Sequence, residues 1–121
     1  LVLAGQGWHQ GVVGIVAARL VQRFARPALV IGLAGDEGRG SARSVPGFDV
    51  LSAMHGGAAH MLRYGGHAQA AGCEVRADAI EALRQAVNAR ARELAPAGGA
   101  ARPALVIDAE VGLESMGPEL M

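Results

Sequence analysis

Ala28-Leu29-Val30-Ile31-Gly32-Leu33, then Ala34 to Gly38, then Arg39-Gly40-Ser41-Ala42-Arg43-Ser44: this stretch decides how the chain is expected to fold. The first run has no charged residue and reads as a strand buried on both faces. The second alternates with a period of two, so Arg39, Ser41 and Arg43 point to one face and Gly40, Ala42 and Ser44 to the other. Asp36 and Glu37 sit in the connecting turn, so the two strands are expected to pair as a hairpin. A hairpin makes the sheet mixed and not wholly parallel.

Upstream, Leu1 to Ala4 reads as a strand, Gly5 to Gly11 as a glycine-rich turn, and Val12 to Phe24 as a helix. Val13, Val16, Leu20 and Phe24 are spaced for its apolar face, and Gly14 and Ala18 would let it lie close on a sheet. Downstream, Pro46-Gly47 turns the chain, and Asp49 is placed to cap a helix running to about His55 or beyond, past Gly56-Gly57 to Leu62. Gly65-Gly66 are expected to lead into a small-residue helix opened by His67, and Cys73 to Val75 into a short strand. Asp78 is placed to cap a helix through Leu94, with Ile80, Leu83, Val87 and Ala91 inward and Arg84, Arg90 and Glu93 outward. Strands alternating with helices indicate an α/β fold, a mixed β-sheet with helices packed on it.

Ala95 to Arg102 is a linker by composition, and Pro103 to Glu110 reads as a new strand. The expected organisation is therefore a domain over 1–95, a linker over 96–102, and over 103–121 the truncated start of a following region. With no initiator methionine and a strand at its start, the chain reads as part of a longer protein.

The composition narrows the chemistry. Of 121 residues, 51% are hydrophobic and 18% charged, enough apolar content for one sizeable core. Net charge is zero, so the general basic footprint of duplex-DNA binders is absent and any anion site must be local. Every basic residue is arginine, which suits forked recognition of phosphate but also fits the codon bias of a GC-rich genome. The single Cys73 excludes an internal disulfide and a thiolate zinc cluster. No signal segment or bilayer-spanning run is evident, and an intracellular, cytoplasmic setting is expected. Aromatic residues make up only 3%, too few for an extended base-stacking platform.

Two features point to a phosphate-bearing ligand. Arg39, Ser41 and Arg43 offer two guanidinium groups and a hydroxyl on one strand face, although such a face is also a common solvated surface. Gly65-Gly66-His67 would bring main-chain amides and an imidazole to one point, where the imidazole could donate to a phosphate oxygen or a leaving group. Trp8-His9-Gln10 places three large side chains at a helix start, though Gly5-x-Gly7-x-x-x-Gly11 is neither a dinucleotide fingerprint nor a P-loop. His55 and His60 do not share a helix face, and Asp36, Glu37 and Asp49 form no recognisable two-metal set. The residues offer recognition chemistry and no catalytic centre of their own.

Three ordered motifs carry a resemblance: Gly7-Trp8-His9-Gln10-Gly11-Val12-Val13-Gly14-Ile15-Val16-Ala17, Gly40-Ser41-Ala42-Arg43-Ser44-Val45-Pro46-Gly47-Phe48-Asp49, and Gly65-Gly66-His67 through Ala70-Ala71-Gly72. In this order they resemble the DHH-associated domain of RecJ-like single-stranded-DNA-specific exonucleases, over about Leu3 to Leu94; 103–121 resembles the start of an oligonucleotide-binding-fold region. The resemblance implies a substrate-binding part of a 5′–3′ exonuclease, a hydrolase of phosphodiester bonds acting in DNA repair and recombination. Manganese or magnesium would be bound by a preceding DHH domain, no metal ligand falls in this chain, and the chain alone would be inactive.

By the same resemblance Arg43 and its flanking Ser41 and Ser44 would contact the nucleic-acid backbone, Gly65, Gly66 and His67 would lie beside the scissile phosphate, with His67 in an auxiliary catalytic role, and Trp8, His9 and Gln10 would shape the cleft; Arg39, on the strand face of Ser41 and Arg43, is a further substrate-binding candidate. Implied partners are single-stranded DNA, single-strand-binding protein and a helicase, with no membrane. Two other readings stand beside it: a DHH phosphoesterase acting on oligoribonucleotides, nucleoside bisphosphates or cyclic dinucleotides, and a non-catalytic RNA-binding module of the kind that accompanies alanyl-tRNA synthetases.

Overall fold

Two hairpins and one helical crossover build a single mixed sheet. The computed structural model describes residues 1–97, 105–108 and 110. In chain order its elements are β1 (Val2–Gln6), α1 (Val13–Phe24), β2 (Ala28–Ala34), β3 (Glu37–Arg43), α2 (Val50–His55), a 3-10 turn (Ala58–His60), β4 (Arg63–His67), β5 (Ala70–Arg76) and α3 (Ile80–Leu94). The strand order is β1-β2-β3-β5-β4. Only β1 and β2 run parallel, joined through α1; the other neighbours are antiparallel. The mixed sheet expected from the β2–β3 hairpin is therefore present.

Alternation sorts the side chains between two faces. One face carries Val2, Leu29, Ile31, Leu33, Ala42, Ala71, Cys73 and Val75, which pack with Val50, Ala53 and Met54 of α2 and Ile80, Leu83 and Val87 of α3. This is the main core, and its apolar burial supplies most of the driving force for folding. On the opposite face α1 makes a much smaller cluster, Val13 and Ala17 against Val30, with Leu20 at its margin. Because α1 covers β2 and part of β3, the same face of β5 and β4 is left open.

Several expectations need correction. Val16 and Phe24 are exposed, and the buried line of α1 is Val13–Ala17–Leu20, narrower than the apolar face the spacing predicts. Asp49 caps α2, its carboxylate accepting from the Ser52 amide at 3.0 Å, and the helix ends at His55, the nearer of the two expected ends; it does not continue past Gly56-Gly57, where a separate 3-10 turn follows. Asp78 caps nothing: it pairs with Arg76, and α3 begins after a 3-10 turn with no side-chain cap. Arg84 is half-buried, its guanidinium donating to the Val2 carbonyl of β1. Leu105 to Asp108 and Glu110 belong to no strand, and the rest of the strand expected over 103–110 lies outside the described residues.

The largest correction concerns Gly65 to Gly72. There is no helix after His67; the segment is a β-hairpin, with β4 and β5 paired through His67↔Ala70, Gly66↔Ala71 and Gly65↔Gly72. Glycine and alanine carry no periodic apolar signal, so pairing with β3 settles the conformation. The hairpin tip is pinned from outside, since the Ser44 amide donates to Gln69 and the Val50 amide to Ala68, at 3.0 and 2.9 Å. No described helix is long and apolar enough to cross a membrane.

Candidate nucleic-acid interface

On the open face the strand registers bring side chains into three rows. Ser41, Gly72 and Gly65 lie side by side across β3, β5 and β4. On one side runs Arg39–Glu74–Arg63, on the other Arg43–Ala70–His67. The middle row is low and the outer rows are taller, so the sheet forms a trough. An open depression of about 560 Å³ lies over this floor and the Arg39–Glu74–Arg63 row, with Gln10 and Val13 at the end next to α1; Arg43 and His67 stand outside its lining.

The floor is bare for reasons the fold does not impose. A Cβ at Gly65 would meet nothing within 4 Å, and one at Gly72 only the Gly40 carbonyl, at an ordinary 3.5 Å. Glycine inside a strand costs roughly 0.5–1 kcal/mol relative to alanine. Two adjacent glycines where side chains would fit keep main chain accessible to a ligand. Gly66 is different: its φ is +146°, and a Cβ there would fall 2.5 Å from the Ala70 carbonyl. It belongs to the opposite face and serves the hairpin, not the trough.

Arg43 is the most unusual charge on this face. Its guanidinium is half-buried between strand and helix, donating to the Ser41 hydroxyl and the Ala42 carbonyl, both at 2.8 Å. Among the described residues no carboxylate pairs with it. A partly desolvated cation without a counter-ion is a natural anion site, and the forked guanidinium suits a phosphate. Ser41 shares the position: its oxygen accepts from Arg43, which leaves its own proton free to donate.

His67 stands at the end of the same row. The Gln69 amide donates to its Nδ1 at 3.3 Å, so in the neutral ring Nε2 carries the proton and acts as donor. His67 does not open a helix here: it ends the edge strand β4, whose Gly65 forms part of the bare floor. Ser44 is turned away, its hydroxyl donating to the Phe48 carbonyl at 2.6 Å.

The Trp8–Gln10 run is divided. The Trp8 indole lies across Gly5, where a Cβ would overlap it, and is still 45% exposed. His9 turns its Nδ1 to the Gly11 amide at 3.1 Å. Only Gln10 of the three lines the depression.

Sequence reasoning misses two residues of this face. Arg63 and Glu74 lie in the row with Arg39, Glu74 Oε1 being 2.7 Å from Arg63 and 3.4 Å from Arg39. The hydrogen bond from Arg63, and the charges of Arg63 and Arg39, hold the Glu74 carboxyl below the usual range against the effect of desolvation. Reading Arg63, Gly65 and His67 as alternate residues of one strand would have put Arg63 on the face of His67, but its place beside Glu74 and Arg39 depends on the register between strands.

A family model described as the DHHA1 domain matches residues 1–93. The chain belongs to the DHHA1 domain family. This DHHA1 domain is 42% identical over 90 residues to the single-stranded-DNA-specific exonuclease RecJ of Bacillus subtilis, covering 73% of the chain and 12% of that protein. It is 41% identical over 85 residues to RecJ of Escherichia coli, covering 64% and 14%. The chain thus spans only a small part of the length of the curated relatives it matches. Among solved structures the DHHA1 domain superposes on RecJ of Thermus thermophilus, in complex with Mg2+, with a TM-score of 0.70 and 31% identity over 77% of this chain and 14% of that one. The C-Ala domain of Aquifex aeolicus alanyl-tRNA synthetase shares the fold, with a TM-score of 0.55 and 14% identity over 71% of this chain and 89% of that one.

Proposed function

We propose that this DHHA1 domain holds single-stranded DNA for a RecJ-like 5′–3′ exonuclease, with the strand's phosphates lying over the trough. The half-buried Arg43, with no carboxylate partner among the described residues, beside the bare Ser41–Gly72–Gly65 floor carries the reading. Such a floor admits a sugar–phosphate chain close to the sheet, and Arg43 supplies a charge-assisted hydrogen bond contributing about 1.5–3 kcal/mol. Ser41 would donate to the same phosphate, and the Nε2–H of His67 would meet charge developing on a neighbouring one. Gln10 would bound the strand from the side of α1; Trp8 and His9 stand further along that loop.

Among the described residues no three of His, Cys, Asp and Glu come together to ligate an ion. RecJ structures carrying Mg2+ or Mn2+ are among its neighbours, and the hydrolytic centre of the parent enzyme would lie in a separate domain facing the trough. The domain alone would bind and not cut.

Titration of the 121-residue chain with oligothymidylate, followed by amide NMR, tests this. Shifts are expected in β3, β4 and β5 around Arg43, Gly65 and Gly72, with weaker response to duplex. Arg43→Ala should reduce affinity about tenfold or more and lower the salt slope by about one. Shifts elsewhere, or unchanged affinity in Arg43→Ala, would remove the assignment.

A further inference from the structure

The row Arg39–Glu74–Arg63 has an arrangement that the stability of the sheet does not explain. Arg39 and Arg63 come from strands on either side of β5, and both reach the same oxygen of Glu74. Their side chains are 66% and 75% exposed. Exposed ion pairs of this kind add little to folding. One carboxylate shared by two guanidinium groups leaves a net positive charge and most of their N–H donors unused. The row also faces the trough, on the far side of the Ser41–Gly72–Gly65 floor from Arg43.

We propose that Arg39 and Arg63 form a second phosphate subsite for a single strand, in which Glu74 is a built-in competitor that the phosphate displaces. This rests on the reading of the trough as a nucleic-acid interface. Arg39 and Arg43 are four residues apart on β3, about 13 Å along the strand. A ligand touching both subsites must therefore span more than one nucleotide step. The chemistries of the two subsites differ. Arg43 is half-buried, has no carboxylate partner among the described residues and is positioned by Ser41, so it grips firmly. Arg39 and Arg63 are exposed and partly neutralised, so they grip loosely and with a strong dependence on salt. A loose second contact holds a long strand in line while letting it move.

The test measures binding of a thymidine dinucleotide and a thymidine octanucleotide to the 121-residue chain and its variants across a range of salt. Glu74→Gln keeps the size of the side chain and removes its charge. It should tighten octanucleotide binding about threefold or more and steepen its salt dependence, leaving the dinucleotide unchanged. Arg39→Ala and Arg63→Ala should each weaken the octanucleotide and flatten its salt slope by about one, again sparing the dinucleotide. Melting temperatures close to that of the parent chain would show that the variants fold. If Arg43→Ala weakens both oligonucleotides while Glu74→Gln, Arg39→Ala and Arg63→Ala change neither, the second subsite is wrong and the trough reading stands. If the unaltered chain binds neither oligonucleotide, the trough reading itself falls, and the subsite with it.

Discussion

Gly14 of α1 lies directly against Arg43 of β3. A Cβ at Gly14 would come within 3.1 Å of the Arg43 guanidinium and 3.1 Å of the Ser41 hydroxyl. Gly14 is half-buried in the first turn of α1, where alanine gains at most about 1 kcal/mol of helix propensity over glycine, so the position trades that propensity for room beside the arginine. Gly14→Ala is expected to leave the melting temperature nearly unchanged or slightly raised while weakening single-strand binding several-fold. Full affinity in a stable Gly14→Ala variant would show that the placement of Arg43 does not matter.

The two consecutive glycines of β4 should separate cleanly. Gly66→Ala forces a side chain into φ +146° and into the Ala70 and Ala71 backbone, and should destabilise the chain by about 2 kcal/mol or more. Gly65→Ala places its methyl in open space on the trough floor, and should fold at least as well while binding more weakly. Chemical denaturation paired with an oligonucleotide titration reads both. Equal stability of the two variants would contradict the different roles given to them.

His67 is expected to matter for turnover more than for binding. In a parent exonuclease carrying its catalytic domain, His67→Ala should lower kcat by about 10²-fold with a smaller change in KM. His67→Gln, whose amide can still donate, should recover part of the loss. An unchanged kcat at saturating substrate would make His67 a structural residue of the hairpin.

Burial pushes the Cys73 thiol from its ordinary 9.0 up to about 11, the Glu74 charge adding to the effect and a Gly40 backbone hydrogen bond opposing it. Between those values the folded chain keeps a proton that the unfolded chain has released. Stability should therefore be complete below pH 9 and decline as pH rises towards 11. Urea midpoints at about pH 8 and about pH 10 should differ more in the parent chain than in Cys73→Ala. The same difference in both would show that the decline has another source.

Much of this architecture is legible in the residues alone because it rests on local rules. The all-apolar run of β2, the alternation of β3 and the spacing of Ile80, Leu83 and Val87 each state which face is buried. The Asp49 cap and the hairpin between β2 and β3 follow from side-chain chemistry and turn composition. For α1 the pattern is ambiguous, since Val12, Ile15 and Val16 are as apolar as the buried Val13. The sheet chooses among them by accepting the narrow Val13–Ala17 line, beside which Ser41 and Arg43 still fit.

What the sequence alone determined is thus a mixed α/β sheet and a strand that carries Arg39, Ser41 and Arg43 on one face, because alternation needs no partner to define it. The tertiary structure alone decided that β4 and β5 continue that face, setting Gly72 and Gly65 beside Ser41, Glu74 and Arg63 beside Arg39, and His67 in the row of Arg43. Glycine and alanine do not announce a strand, and register between strands distant in sequence is set by backbone pairing and by the core beneath. The trough exists because α1 stops short of β5, a property of how a helix is seated that no local pattern encodes.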